Sequence, residues 1–255
     1  MCHDVVSHHL DIPTPDGRAD AYLAHPADSG SYPAVLCYMD IYGLRPAFTQ
    51  MVDRIAVAGY VVLAPHVFYR HGRDPLVPLG DLLDPVNRAS VAERLRGYLS
   101  AVDPGEATRD AAAYLDHLAA DPRVLDGPVG VVGYCMGGNL GLRTAAAYPD
   151  RVAALASFHG GDLATTAADS PHRQVGRIQA ECYFAHADND PSASTEQVER
   201  FQTALREAGV SYRSEVYTGC AHGFTQRDSP AFDQSASARH WAELLQLFDR
   251  ALSGG

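Results

Sequence analysis

Hydrophobic runs and helical stripes alternate along most of this chain. Short runs of consecutive apolar residues, many of them β-branched, predict buried strands at five to seven positions each. These runs lie at 34–38, 60–64, 129–134, 152–158 and 180–186, and a last strand is predicted at 212–217. Between them, apolar residues spaced three and four apart predict helices, as from Phe48 to Ala56. Strands that alternate with helices indicate a mostly parallel sheet covered on both faces.

The ends of the pattern differ from its middle. Partial alternation on either side of Pro15-Asp16-Gly17 predicts an N-terminal antiparallel hairpin. A C-terminal helix carrying Trp241 and Phe248 closes the chain. The segment 66–104 is Pro-rich and predicts only one helix, near Asn87 to Leu99. We expect a single domain over 1–255, in which this insertion forms a lid or a pocket wall.

The segment 129–138 organises the rest of the chain. A β-branched run enters a Gly-x-Cys-x-Gly turn at Gly133, Cys135 and Gly137, and an Ala-rich helix leaves it. This arrangement resembles the nucleophile elbow of the α/β-hydrolase fold, with cysteine in place of serine. The two glycines provide room at a crowded turn. The helix N-terminus favours a thiolate and presents free backbone N–H groups.

Composition and charge limit the ligands. The formal net charge of -11 and the lack of a basic stripe argue against a nucleic-acid surface, so a small-molecule ligand is expected. The N-terminus lacks a signal-peptide pattern, and no apolar run approaches the roughly 18 residues of a membrane span. Five cysteines without Cys-x-x-Cys spacing indicate neither disulfides nor a zinc site. We therefore predict a cytoplasmic monomer or homodimer that needs no metal or cofactor.

Three residues appear in the order that acyl transfer by this fold requires. Cys135, Asp190 and His222 each lie in a turn after a separate predicted strand, in the order nucleophile, acid, histidine. Asp188 is an alternative to Asp190 as the acid. In this hypothesis the Cys135 thiolate attacks an ester or lactone carbonyl, and His222, oriented by Asp190, transfers the protons. The backbone N–H groups of Met136 and Ile41 would bind the oxyanion.

The chain resembles the dienelactone hydrolase family from about Pro33 to Phe248. The resemblance rests on Gly-Tyr-Cys-Met-Gly-Gly at 133–138, on the turn at Asp190, on Ala-His-Gly-Phe around His222, and on Met-Asp-Ile-Tyr-Gly at 39–43. It implies that the three residues form a triad and that a carboxylate after the first core strand gates the thiol. The family has glutamate at that position, whereas this chain has Asp40, which is one methylene shorter.

The resemblance also implies arginines that hold a substrate carboxylate, one from the insertion and one just after the histidine. This chain has Gln226 at the second position, with Arg227 beside it. Candidate substrate contacts are therefore Arg227, Arg88, His159 and Tyr134, with Arg94 and Arg96 as substitutes from the insertion.

The resemblance implies a cofactor-independent hydrolase of small esters or lactones, of the carboxymethylenebutenolidase type, in the breakdown of aromatic compounds. Three alternatives remain open: a carboxylesterase of unrelated small esters, a thiol-based redox protein in which Cys135 is oxidised, and a non-catalytic ligand-binding member of the fold. No second cysteine lies near Cys135 in sequence, which counts against the redox alternative.

Overall fold

Eight strands form one twisted α/β sheet in the computed structural model, which describes residues 3–78, 80–81 and 84–252, without the side chain of Arg88. The strands are β1 Val5–Thr14, β2 Gly17–Pro26, β3 Ala34–Tyr38, β4 Val61–Pro65, β5 Val129–Tyr134, β6 Val152–Phe158, β7 Glu181–Asn189 and β8 Tyr212–Ala221. Their spatial order is β1-β2-β4-β3-β5-β6-β7-β8. Strands β1 and β2 form an antiparallel hairpin, β2 is antiparallel to β4, and the remaining neighbours are parallel. The predicted fold class is thus confirmed.

Six α-helices connect and cover these strands within the described residues: α1 Pro46–Val57, α2 Arg88–Ser100, α3 Pro104–Ala119, α4 Met136–Ala147, α5 Thr195–Glu207 and α6 Gln234–Leu252. Their starts follow from local chemistry. Helix α3 begins at Pro104, because the Asp103 side chain accepts a hydrogen bond from the Glu106 N–H at 2.8 Å. Ser194 caps α5 in the same way, through the N–H of Gln197.

The three central strands of the sheet are the most completely buried. Strands β3, β4 and β5 are buried along their whole length, as expected for parallel strands covered on both faces. In strands of this kind the carboxyl ends lie at one edge, where ligands bind in open α/β sheets. Cys135 follows β5 at that edge.

The segment 66–104 has a small apolar cluster of its own. Val77, Val91 and Leu95 form its centre, and Ile41 and Tyr42 pack against it. Helix α2 matches the helix predicted near Asn87 to Leu99. The insertion therefore rests on the loop after β3.

Within the described residues, no helix is long and apolar enough to span a bilayer.

Candidate active site

The nucleophile elbow is a strained turn that only glycines can accommodate. Cys135 has φ 57° and ψ -120°, a conformation that is rare for a residue with a side chain. A Cβ on Gly133 would lie 2.0 Å from the Gly137 carbonyl oxygen, and a Cβ on Gly137 would lie 2.6 Å from the Tyr38 carbonyl oxygen. Both approaches are too close for any side chain. The turn therefore holds Cys135 at the start of α4, between strand and helix.

Three loops bring the predicted triad residues together. Asp190 follows β7 and His222 follows β8, and the Asp190 Oδ2 lies 2.6 Å from the His222 Nδ1. Cys135 interacts with the same histidine side chain. Asp188, the alternative acid, instead accepts a hydrogen bond from the Gly219 N–H at 3.0 Å. The geometry thus places Asp190, and not Asp188, against the histidine.

Ser192 supports the aspartate and was missed by sequence reasoning. Its Oγ donates a hydrogen bond to the Asp190 Oδ1 at 2.6 Å, and its N–H donates to the same oxygen at 2.9 Å. Asp190 therefore has one oxygen held by Ser192 and the other free to bind His222. The Asp-x-Ser spacing of an Asx turn could have indicated this contact.

The interactions around His222 and Asp190 favour a charged histidine. Burial alone would lower the pKa of His222, but the hydrogen bond to Asp190 and the interaction with Cys135 outweigh it and raise this pKa to about 10. Burial would raise the pKa of Asp190, yet the hydrogen bonds from His222 and Ser192 lower it overall. At neutral pH the pair is therefore an imidazolium against a carboxylate.

Two backbone N–H groups stand free beside Cys135. Met136 is the first residue of α4, so its N–H has no acceptor within the helix. Ile41 lies in the loop after β3, and its N–H makes no hydrogen bond to any described residue. Both residues line the same cavity as Cys135. The residues predicted as oxyanion donors thus border the cavity that contains Cys135, and their role stays a prediction.

Asp40 is tied to an arginine that sequence reasoning did not identify. Arg45 donates to both Asp40 oxygens, at 2.7 and 2.9 Å, and to both oxygens of Asp228, at 2.5 and 3.0 Å. It also donates to the Gln226 Oε1 at 3.3 Å. Burial lowers the pKa of Arg45, but the two carboxylates outweigh it and raise this pKa overall. The Asp40 carboxylate is thus already paired with Arg45. The gating role expected of Asp40 stays a prediction.

Two cavities meet at Cys135 and His222. The first, the Arg45 cavity, has a volume of about 290 Å³ and is lined by Asp40, Arg45 and Asp228 among others. The second, the Arg143 cavity, has a volume of about 480 Å³ and lies along α4 under α2. Leu99 and Val102 provide its insertion wall. Two cavities with differently charged walls therefore share Cys135 and His222.

The predicted substrate contacts have different positions. His159 lines the Arg45 cavity, with its Nε2 2.8 Å from the Thr225 Oγ1 and its ring centroid 5.1 Å from that of His222. Tyr134 is wholly buried, and its hydroxyl lies 2.9 Å from the His240 Nε2, so the structure gives no support to contact with substrate. Arg227 is exposed and lines neither cavity. The Arg88 side chain lies outside the described residues.

Metal binding has no visible basis in this site. Among the described residues, no group of three or more His, Cys, Asp and Glu side chains could hold a metal ion.

The sheet order, the elbow and the strand-end residues define a hydrolase of the α/β-hydrolase fold. The family model that matches residues 19–252 is the dienelactone hydrolase family, and the chain belongs to this family. The predictions of family membership and of an ester or lactone hydrolase are thereby confirmed at the level of the family.

Individual relatives agree with the family. The chain is 28% identical over 261 residues to a protein of Synechocystis sp. named “Putative carboxymethylenebutenolidase”, covering 99% of this chain and 100% of that one. It is 26% identical to the carboxymethylenebutenolidase of Rhodococcus opacus, with 100% and 99% covered. A crystal structure from Klebsiella pneumoniae titled “Putative Dienelactone Hydrolase” superposes with a TM-score of 0.82 at 21% identity, covering 96% of this chain and 99% of that one.

Proposed function

We propose that the protein hydrolyses small carboxylic esters or lactones through an acyl-thioester on Cys135. The observation that carries this proposal is the geometry around His222, whose ring lies between Cys135 and a carboxylate 2.6 Å away. An acyl-transfer site needs a nucleophile, a base within hydrogen-bond reach of it, and an acid that orients the base. The names of the relatives support lactone hydrolysis as the reaction class.

The proposed first half-reaction begins with a thiolate and imidazolium pair. The Cys135 sulfur attacks the carbonyl carbon, and the carbonyl oxygen becomes an oxyanion near the N–H groups of Met136 and Ile41. As the tetrahedral intermediate collapses, the C–O bond breaks and the His222 Nε2 proton goes to the leaving alkoxide. The products of this step are an alcohol, or the opened lactone chain, and the acyl-thioester.

The proposed second half-reaction uses the neutral histidine as a base. His222 takes a proton from water, the hydroxide adds to the thioester carbon, and the Cys135 thiolate leaves with the bonding electron pair. Asp190, held by Ser192, keeps the Nδ1 proton of His222 in place throughout. No cofactor enters either step of the proposal, and a cytoplasmic location stays a prediction.

Replacing the nucleophile tests this proposal. With 4-nitrophenyl acetate and with a dienelactone as substrates, we expect Cys135→Ala to lower kcat/KM by about 10³-fold or more. Mass spectrometry of the wild-type protein quenched early with the acetate should show one acetyl group, on the peptide that contains Cys135. The matched control is Cys220→Ala, a buried cysteine that lines neither cavity, which should retain activity. Hydrolysis that is indifferent to Cys135→Ala contradicts the proposal.

A further inference from the structure

The loop between β3 and α1 leaves one backbone N–H group unbonded. The Tyr42 N–H donates to the Asp40 Oδ1 at 2.9 Å, and the Gly43 N–H donates to the Asp40 carbonyl oxygen at 3.3 Å. The Leu44 N–H donates to a carboxylate from another segment at 3.0 Å. The Ile41 N–H makes no hydrogen bond to any described residue. The direction of the Ile41 N–H is therefore set by the contacts that hold the residues after it.

The carboxylate that holds this loop belongs to Asp74, which lies in the insertion 30 residues after Leu44. Its Oδ1 accepts the Leu44 N–H and also lies against Gly43, where a Cβ would come within 2.3 Å of it. Gly43 has φ 80°, a conformation that favours glycine. The side chain of Asp74 is 12% exposed. Asp74 therefore contacts two successive residues of the loop at the point where the backbone turns.

Asp74 is in turn fixed to the sheet. Its N–H donates to the Oδ2 of Asp20, a residue of β2, at 2.8 Å. His66, directly after β4, has its Nδ1 3.2 Å from the Asp20 Oδ1 and its Nε2 3.9 Å from the Asp74 Oδ1. The His66 side chain is 1% exposed, and its backbone N–H donates to the Asp20 carbonyl oxygen at 2.8 Å. The imidazole ring thus lies between two carboxylates, in a buried group that β2 and β4 hold in place.

The Asp74 carboxylate has few other partners. Within the described part of the chain, the Leu44 N–H is the only group that donates a hydrogen bond to it, and His66 is its only ion-pair partner. The neighbouring Arg73 instead forms an exposed ion pair with Asp11 at 2.6 Å. Burial of a carboxylate is costly unless hydrogen bonds compensate it. The hydrogen bond that compensates Asp74 comes from the loop that carries Ile41.

We propose that Asp74 is a positioning residue for the oxyanion site. Its carboxylate holds Gly43 and Leu44, and through them it directs the Ile41 N–H toward the carbonyl group that is attacked. The inference rests on the proposed function, in which this N–H binds the oxyanion formed at Cys135. A preorganised donor meets charge that develops only in the transition state, so its misplacement lowers kcat and leaves KM unchanged. Loss of one such donor typically costs about 10²–10³-fold in kcat, and a displaced donor should cost about tenfold or more.

The kinetic test uses 4-nitrophenyl acetate and substitutions at Asp74. In Asp74→Ala, kcat and kcat/KM should fall together by about tenfold or more, with KM within about twofold of the wild type. Asp74→Asn should recover most of this loss, because its amide oxygen can still accept the Leu44 N–H. The matched control is Asp11→Asn, which removes the exposed partner of Arg73 beside Asp74 and should match the wild type.

A second substitution reaches the same contact from the loop. In Gly43→Ala the new Cβ would meet the Asp74 Oδ1 at 2.3 Å, so kcat should fall as it does in Asp74→Ala. In the double variant that oxygen is gone, and the combined loss should be much smaller than the product of the two single losses. Losses that multiply, or a wild-type kcat in Asp74→Ala, overturn the inference. Circular dichroism and thermal unfolding establish whether each variant is folded.

A reversible adduct separates this inference from the proposed function, because its formation requires no hydrolysis. With trifluoroacetone, the Cys135 sulfur adds to the ketone carbon, and the carbonyl oxygen becomes an alkoxide at the oxyanion site. Fluorine NMR should show that the dissociation constant of this adduct rises about tenfold or more in Asp74→Ala and recovers in Asp74→Asn. Alkylation of Cys135 by iodoacetamide, which expels iodide and forms no oxyanion, should keep the wild-type rate in both variants.

The outcomes of this experiment differ for the two proposals. An adduct that weakens in Asp74→Ala, in proteins that hydrolyse no ester, supports the positioning role and refutes the proposed reaction. Equal losses in adduct formation and alkylation mean that Asp74 only supports the fold, and they overturn the inference. An adduct that is equally stable in Asp74→Ala, or that the wild type does not form, also overturns it.

Discussion

Two arginines that are buried to a similar degree line the two cavities that share Cys135, and their surroundings differ. Arg45 is 6% exposed and is held by two carboxylates, so the Arg45 cavity carries an excess negative charge. Arg143 is 8% exposed and is held by an amide and a backbone carbonyl. Burial of a charge requires compensation by partners. In the first case the protein supplies hydrogen-bonded carboxylates, which makes Arg45 structural. In the second it supplies neutral acceptors, and the carboxylates of Asp169 and Asp103 act only by longer-range attraction.

The comparison also accounts for the position after the histidine. Gln226 is 2% exposed and accepts a hydrogen bond from Arg45, so the side chain there meets a cation rather than supplying one. An arginine at this position would bring a second positive charge next to Arg45. The positive charge that contacts Gln226 therefore comes from Arg45, five residues after Asp40 in the chain.

The largest effect on stability is expected for Arg45→Met. Removing one partner of a buried pair leaves Asp40 and Asp228 without a countercharge, so the free energy of unfolding should fall by about 3–5 kcal/mol. Arg143→Met loses only bonds to neutral acceptors and should cost about 1–3 kcal/mol. Urea denaturation of both variants at pH 7 measures the difference. Equal losses would contradict the distinction between a neutralised and an unneutralised arginine.

A smaller effect is expected for Asp228→Asn. The amide oxygen keeps an acceptor for Arg45, and Asp40 keeps a countercharge, so the loss should be about 1 kcal/mol, the difference between charged and neutral hydrogen bonds. In the Arg45→Met background the same change should stabilise the protein, because it removes an unpaired charge that is largely buried. A double-mutant cycle in urea checks this reversal of sign. Loss of stability in both backgrounds would mean that the carboxylate has another partner.

The most gradual effect concerns pH. The folded-state pKa of His222, about 10, lies above the ordinary value of about 6.5. Its protonated form therefore adds stability in full below pH 6.5, and this contribution is lost as the pH rises through about 10. The stability difference between the wild type and His222→Gln should be widest near pH 6 and should shrink steadily toward pH 10. A difference that is constant with pH would show that the His222 and Asp190 pair is not charged.

Local patterns predicted much of the architecture. Uninterrupted runs of apolar residues located the central strands, because strands covered on both faces must be apolar throughout. The Gly-x-Cys-x-Gly turn predicted the elbow, because a crowded turn excludes side chains at Gly133 and Gly137. The same turn, with the order of Asp190 and His222 after it, predicted which residues the sheet brings together. Boundaries were less exact: the last strand was predicted over 212–217, and β8 continues to Ala221.

Contacts over long sequence distances were decided only by the tertiary structure. Arg45 meets Asp228 across 183 positions of sequence, and no spacing rule relates them. Arg143 shows why burial matters: no feature of its own helix separates it from an exposed arginine, and its contact with the Asp169 carbonyl oxygen joins positions 26 residues apart. The sequence by itself determined the strands, the elbow and the order of the chemical groups, since these depend on near neighbours. Which charges are paired and which line a cavity depends on packing between distant segments, and only the folded chain sets that.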